Sequence, residues 1–82
     1  CAAPGLVISQ LPSMSGIHFT CYDGFEDGPV ARGGIYEKKP AVTDGNIITG
    51  RGPGCAVDFG LAILGHLKGA EEAAAVRSSL ML

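Results

Sequence analysis

The chain has 82 residues, of which 46% are hydrophobic and 17% charged, enough for one small domain with a modest core. A net charge of −2 provides no basic surface, so neither nucleic acid nor an anionic membrane is an expected partner. No apolar run approaches the roughly 18–20 residues of a membrane-spanning helix. The low charged fraction indicates that some elements bury both faces or pack against another chain.

The three cysteines, Cys1, Cys21 and Cys55, are odd in number and widely spaced. This spacing argues against a zinc site or a disulfide framework and favours free thiols in a cytosolic protein, with no cofactor expected. The chain begins at Cys1, inside a stretch that the composition predicts to be structured, without an initiating methionine or a signal peptide. We therefore expect a processed or truncated product.

The first half of the chain predicts one weak helix and one strand. Residues 2–11 form the helix, which tolerates Pro4 in its first turn and ends at Pro12. If Cys1 directly precedes this helix, its sulfur lies at the positive end of the helix dipole, where the thiolate is favoured. Residues 17–22 are β-branched and aromatic and predict a strand. A polar, glycine-rich stretch follows over 25–39, with a brief strand at 35–36. Its neighbouring acidic residues are expected in a solvated loop: Asp23, Glu26 and Asp27.

The second half predicts a hairpin and two helices. The dipeptide at 44–45, Asp-Gly, predicts a two-residue turn between an extended segment at 40–43 and a short buried strand at 46–49. After residue 54, Phe59, Ile63 and Leu67 recur at helical spacing, and Gly69 is a stop signal. Residues 71–79 predict a second helix, and the apolar tail at 80–82 predicts a last strand.

The glycine-rich turn at 50–54 stands between a strand and a helix, a corner where α/β proteins commonly build sites. It lacks the lysine and Ser/Thr of a phosphate loop, and Pro53 removes an N–H that a phosphate would use, so nucleotide binding is not favoured. Two alternatives are left. The turn is either a purely structural one that needs glycine, or the wall of an anion or carbonyl pocket to which Arg51 contributes.

Cys1 is open to two interpretations on its chemistry alone. It is either a small buried apolar residue or a nucleophile or redox sensor at a helix start. A cysteine nucleophile usually pairs with a base, but His66 is expected at the solvated end of a helix. His18 alternates with Phe19 in a strand, so its side chain points either toward the cysteine or away from it.

Several motifs together resemble one family. Residues 46–54 (NIITGRGPG) and 58–62 (DFGLA) are similar to the C-terminal part of the ThiJ/PfpI superfamily. Residues 1–4 (CAAP) resemble the nucleophile elbow of its Parkinson-disease-linked deglycase branch, and residues 20–26 (TCYDGFE) resemble a segment of that branch's bacterial members. The resemblance implies a flavodoxin-like three-layer α/β/α sandwich. Residues 1–82 would be the C-terminal portion of this single domain, completed by an N-terminal segment of the same protein and usually homodimeric.

The resemblance also implies roles for individual residues. Cys1 matches the nucleophile and redox-sensing thiol, and Ala2 matches the residue whose main-chain N–H helps form the oxyanion hole. Cys21 falls where some members carry a histidine; it replaces a base poorly, and the two thiols could instead be redox partners. The family's glutamate, which hydrogen-bonds the cysteine, and a second oxyanion-hole residue would lie outside this chain. The turn that lines the pocket near the sulfur corresponds to Arg51, Gly52 and Pro53.

Three functions are therefore considered. The resemblance implies a cofactor-independent glyoxalase or deglycase-like enzyme, in which the Cys1 thiolate attacks a small 2-oxoaldehyde such as methylglyoxal. The alternative is a redox sensor or stress chaperone in which Cys1 is oxidised without turnover, and the third is an α/β protein with an inert cysteine. Peptidase-like members carry histidine after the cysteine, so Ala2 argues against protease activity. The expected location is the cytoplasm.

Overall fold

Two small β-sheets and four α-helices make up the computed structural model, which describes residues 1–82. This confirms the predicted mixed α/β class. Short 3₁₀ turns at Ile8–Gln10, Pro12–Met14 and Pro53–Cys55 connect some of these elements. In chain order the helices and strands are α1 (Ala3–Leu6), β1 (His18–Phe19), α2 (Asp27–Ala31), β2 (Ile35–Tyr36), β3 (Ala41–Asp44), β4 (Ile47–Gly50), α3 (Ala56–Lys68) and α4 (Ala70–Ser79).

The N-terminal helix is shorter than the sequence predicts. Instead of extending over residues 2–11, α1 ends at Leu6 and the chain continues in two 3₁₀ turns. Gly5 weakens the helix interior, and the Ser9 hydroxyl donates to the Gly5 carbonyl oxygen at 2.7 Å. A serine that bonds the backbone in this way competes with regular helical hydrogen bonding.

The first sheet is a parallel pair of very short strands. His18 of β1 pairs with Ile35 of β2, and Phe19 pairs with Tyr36. The strand predicted over 17–22 is therefore only two residues long, while the strand predicted at 35–36 is confirmed. Helix α2 connects the pair and was not predicted, because it contains a glycine and a proline. Pro29 is its third residue, within the first turn, where a proline removes no intrahelical hydrogen bond.

The second sheet is the predicted antiparallel hairpin, with its turn displaced by one residue. Asp44 pairs with Ile47, so the two loop residues are Gly45 and Asn46 rather than 44 and 45. The Asp44 carboxylate accepts a hydrogen bond from the His18 N–H at 2.7 Å, which holds Asp44 in the strand. Gly45 supplies the positive φ of +59° that the turn requires. The prediction of a buried strand at 46–49 is only partly right, because Thr49 alone is buried there.

Threonine hydroxyls join the two sheets. The Thr20 N–H, beyond the end of β1, donates to Thr49 Oγ1 at 2.9 Å in the buried interior. Thr49 Oγ1 in turn contacts the Val42 carbonyl oxygen across the hairpin at 3.5 Å. The core lies against this junction, with Met14, Phe19 and Cys21 fully buried. Side-chain hydrogen bonds therefore replace a strand ladder between the sheets.

Helices α3 and α4 lie where the sequence predicts them, but they contribute no side chain to the buried core. Asp58 lies in the first turn of α3, and Gly69 ends the helix with φ +96°. Neither helix contains a buried residue, and Leu67, part of the predicted apolar stripe, is 70% exposed. The last strand predicted at 80–82 is wrong: these residues form a turn after α4, and no strand lies beside them to pair with. No helix combines the length and the apolar composition that crossing a membrane requires.

Candidate functional site

Cys1 is exposed and is held through its main chain between two segments that are distant in sequence. Its main-chain nitrogen donates to the Gly50 carbonyl oxygen at 2.8 Å, at the end of β4. Its carbonyl oxygen accepts from the Tyr22 N–H at 2.7 Å. Cys1 also lines an apolar cavity of about 210 Å³ together with Ala3, Pro4, Ile8, Phe59 and residues 47–50. The thiol-bearing residue is therefore fixed at the edge of both sheets while it stays accessible.

Ala2 follows at the N-terminal boundary of α1. Its carbonyl oxygen accepts from the amides of Gly5 and Leu6, as a helix start requires, whereas its own N–H donates to no group in the chain. A free donor thus lies directly beside Cys1. The position of α1 is fixed by a close contact, because Gly5 lies against the Phe25 carbonyl so tightly that a Cβ would overlap it.

An ion pair stands next to these contacts. Arg51 Nε donates to Asp23 Oδ1 at 3.0 Å, and the terminal Nη2 donates to Oδ2 at 2.9 Å, a two-point contact. The Arg51 hydrogen bond holds the pKa of the Asp23 carboxyl below its ordinary value, and the same bond raises the pKa of Arg51. Asp23 lies exposed in a loop, as predicted, and its carboxylate is in addition the partner of Arg51.

The glycine turn that carries Arg51 forms one wall of a second cavity. The Arg51 N–H donates to the Pro40 carbonyl oxygen at 3.0 Å, and Gly52 faces the Tyr22 ring, where an added Cβ would lie 3.5 Å from the ring. The cavity measures about 260 Å³. Cys1 lines the neighbouring apolar cavity rather than this one. The lining residues are Tyr22, Asp23, Arg51, Gly52, Pro53, Gly54 and Cys55.

Cys21 lies in the core and lines neither of these two cavities. Burial is the main cause that raises the pKa of its thiol, and the nearby Glu26 carboxylate raises it further. One oxygen of that carboxylate, Oε2, is itself buried without a hydrogen-bond partner. The buried environment of Cys21 therefore disfavours its thiolate form, while Cys1 is exposed.

Neither histidine lies in these cavities. His18 Nδ1 is 3.4 Å from a Glu37 carboxylate oxygen at the edge of the first sheet, and His66 is exposed in the last turn of α3. No three His, Cys, Asp or Glu side chains are placed to share a metal ion. Sequence reasoning missed Asp23 as an Arg51 partner, because the two residues are 28 positions apart and no local pattern connects them.

The DJ-1/PfpI family profile matches residues 1–66. The chain belongs to the DJ-1/PfpI family. It is 37% identical over 82 residues to "Protein dj-1beta" of Drosophila melanogaster and 36% identical over 83 residues to "Parkinson disease protein 7 homolog" of Danio rerio. It is also 32% identical over 82 residues to "Protein DJ-1 homolog B" of Arabidopsis thaliana. In each alignment the whole chain is covered.

These matches confirm the predicted superfamily and its DJ-1 branch. The mixed α/β structure agrees with a portion of the flavodoxin-like fold of the DJ-1/PfpI family. The chain spans 43% of the length of the fly and zebrafish relatives and 18% of the Arabidopsis relative. It therefore corresponds to less than half of each.

Proposed function

We propose that this DJ-1/PfpI chain provides the nucleophile of a cofactor-independent enzyme that converts small 2-oxoaldehydes into 2-hydroxy acids. The observation that carries the proposal is the contrast between thiols: Cys1 is exposed and anchored by two main-chain contacts, whereas Cys21 is buried in the core, which raises the pKa of its thiol. A thiol must be accessible and ionised to attack a carbonyl carbon.

The proposed reaction begins with attack of the Cys1 thiolate on the aldehyde carbon of methylglyoxal. The proposed donor to the resulting hemithioacetal oxyanion is the Ala2 N–H, which donates to no group in the chain. A base then moves a proton from the carbon that carries sulfur to the neighbouring carbon, which converts the adduct into a thioester. Water hydrolyses the thioester, releases lactate and regenerates the thiol. The proposed base is the family glutamate, which the resemblance implies outside residues 1–82.

The proposed enzyme also requires an N-terminal segment outside residues 1–82 and a second subunit. The cavity beside Cys1 is lined by Ile47, Ile48 and Phe59, and large apolar side chains of α3 are exposed, which supports completion of the domain by an N-terminal segment of the same protein. We further propose a homodimer that works in the cytoplasm. Size-exclusion chromatography with light scattering on the full-length protein tests the dimer directly.

Activity is tested with the full-length protein and its Cys1→Ser variant. We expect lactate from methylglyoxal with the wild type and a loss of at least about a hundredfold in the variant, because the nucleophile is removed. Cys21→Ser is the matched control for removing a thiol, and it should keep most of the activity. No lactate from the wild type would exclude the enzyme. Intact-mass analysis after mild peroxide then tests the alternative: a gain of two oxygen atoms that depends on Cys1 supports the redox sensor.

A further inference from the structure

We propose that Asp23 is a specificity-determining residue that restricts the cavity beside Arg51 to uncharged carbonyl compounds. The proposal rests on the proposed function and names its substrate class: 2-oxoaldehydes without a carboxylate. Arg51 is the only cationic residue that lines this cavity, and it is the group that an anionic substrate would use. Asp23 already occupies that group.

The geometry of the pair explains the exclusion. A guanidinium binds a carboxylate through two parallel N–H donors, and Asp23 takes Nε and one terminal nitrogen at 3.0 and 2.9 Å. A substrate carboxylate would have to displace Asp23 from these donors or approach beside a fixed negative charge. An uncharged carbonyl compound needs neither, because it requires only space in the cavity and one hydrogen-bond donor for its oxygen.

The main chain keeps the pair in place. The Arg51 N–H is bonded to the Pro40 carbonyl oxygen at 3.0 Å, so the turn cannot easily carry the guanidinium away. Asp23 precedes Gly24, whose φ of +95° sets the loop geometry, and Lys38 Nζ is 3.9 Å from the same carboxylate. Among the residues that line the cavity, the negative charge of Asp23 therefore offsets the positive charge of Arg51.

Each member of the ion pair directly follows a residue that contacts Cys1 through the main chain. Tyr22 and Gly50 make the two main-chain contacts with Cys1, and the next residue in each segment is Asp23 or Arg51. Asp23 and Arg51 therefore adjoin the two main-chain contacts that hold Cys1, which itself lines the neighbouring apolar cavity. The proposal places the non-reacting end of the substrate beside the ion pair and its aldehyde carbon toward Cys1.

The first test compares two substrates in the full-length protein. Methylglyoxal is uncharged, and dioxovalerate is a 2-oxoaldehyde with a terminal carboxylate that yields 2-hydroxyglutarate by the same reaction. In Asp23→Asn the shape is kept and the charge is removed, so kcat/KM for dioxovalerate should rise about tenfold relative to kcat/KM for methylglyoxal. Asp27→Asn removes the same charge from an exposed residue without an Arg51 contact, and it should leave this ratio unchanged.

A double variant tests whether the gain for dioxovalerate depends on the Arg51 guanidinium. In the double variant Asp23→Asn with Arg51→Met the guanidinium is gone, so the gain for dioxovalerate should disappear. Asp23→Ala repeats the test with a second side chain, and a thermal melt of each variant establishes that it is folded. An unchanged substrate ratio in both Asp23 variants would overturn the proposal.

A binding measurement separates this proposal from the proposed function. Cys55 lines the same cavity, and in a Cys1→Ser background it is the more accessible of the two thiols left in residues 1–82, so its labelling is followed by peptide mass spectrometry. Acetate should slow iodoacetamide labelling of Cys55 when Asp23 is replaced by asparagine, and should not slow it when Asp23 is present. Equal protection with and without Asp23 would overturn the proposal even if methylglyoxal turns over. Absence of lactate from every variant, with protection as expected, would instead refute only the proposed reaction.

Discussion

Residues 1–49 and residues 50–82 differ in how they are stabilised. Every buried residue lies in the first region, whose strands are two to four residues long. The second region has the longest helices, 13 and 10 residues, yet none of its residues is buried. Within residues 1–82 the longest helices and the buried core therefore lie in different regions. The catalytic candidates lie where the two regions meet, at Cys1 against Gly50 and at Asp23 against Arg51.

The largest effect is expected from truncating the core of the first region. Phe19 is fully buried, so Phe19→Ala should lower the free energy of unfolding by about 3–5 kcal/mol through lost contacts and a cavity. Lys68→Ala, at an exposed polar position in the last turn of α3, should change it by less than about 0.5 kcal/mol. Urea unfolding of the full-length variants measures both. A cost at Lys68 as large as that at Phe19 would show that this contrast between the regions does not hold.

An intermediate effect is expected at the junction between the sheets. Thr49→Val leaves the buried Thr20 N–H without its acceptor, so the free energy of unfolding should fall by about 1–3 kcal/mol. Thr43→Val makes the same chemical change on the exposed face of the hairpin and should cost less than about 0.5 kcal/mol. Urea unfolding of the two variants side by side decides the matter; similar losses would mean that the buried hydroxyl is not what joins the sheets.

The smallest effect is expected from the ion pair that links the two regions. Asp23 has a lowered pKa in the folded chain, so its stabilisation is present above its ordinary pKa of about 3.9 and is lost as the pH falls through the lowered value. The stability difference between wild type and Asp23→Asn should therefore be seen at pH 7 and shrink below about pH 5. Asp58→Asn breaks the longer 3.4 Å contact with Arg77 inside the helical region and is the matched control. A difference that does not change with pH would rule out the carboxylate as its source.

The sequence was most informative where structure depends on local patterns. Apolar spacing and Gly69 defined α3 and the start of α4, and a glycine turn signal located the hairpin to within one residue. It was least informative where a partner comes from far away. The turn shifted because the Asp44 carboxylate is recruited by His18, and β1 is short because the Thr20 amide bonds a side chain. Helix α2 was not predicted, because glycine and proline normally disfavour a helix.

The same distinction applies to the candidate site. The resemblance of residues 1–4 and 46–54 identified Cys1, Ala2 and the turn at 51–53, and their proposed roles stay predictions. The acidic partner of Arg51 could not be found in this way, because only the folded loop that begins at Tyr22 brings the Asp23 carboxylate to the guanidinium. Motifs indicated which residues to consider, while the charges that surround them became visible only in three dimensions.

The close contact between Gly5 and the Phe25 carbonyl has a consequence for how this protein can change over generations. Any side chain at position 5 would push α1 away from the loop that begins at Tyr22. That movement would shift the Ala2 amide at one end and Asp23 at the other. Under the proposed function, a substitution at position 5 would therefore disturb the oxyanion donor and the specificity residue together. Glycine at this position is a geometric constraint that the two proposed roles share.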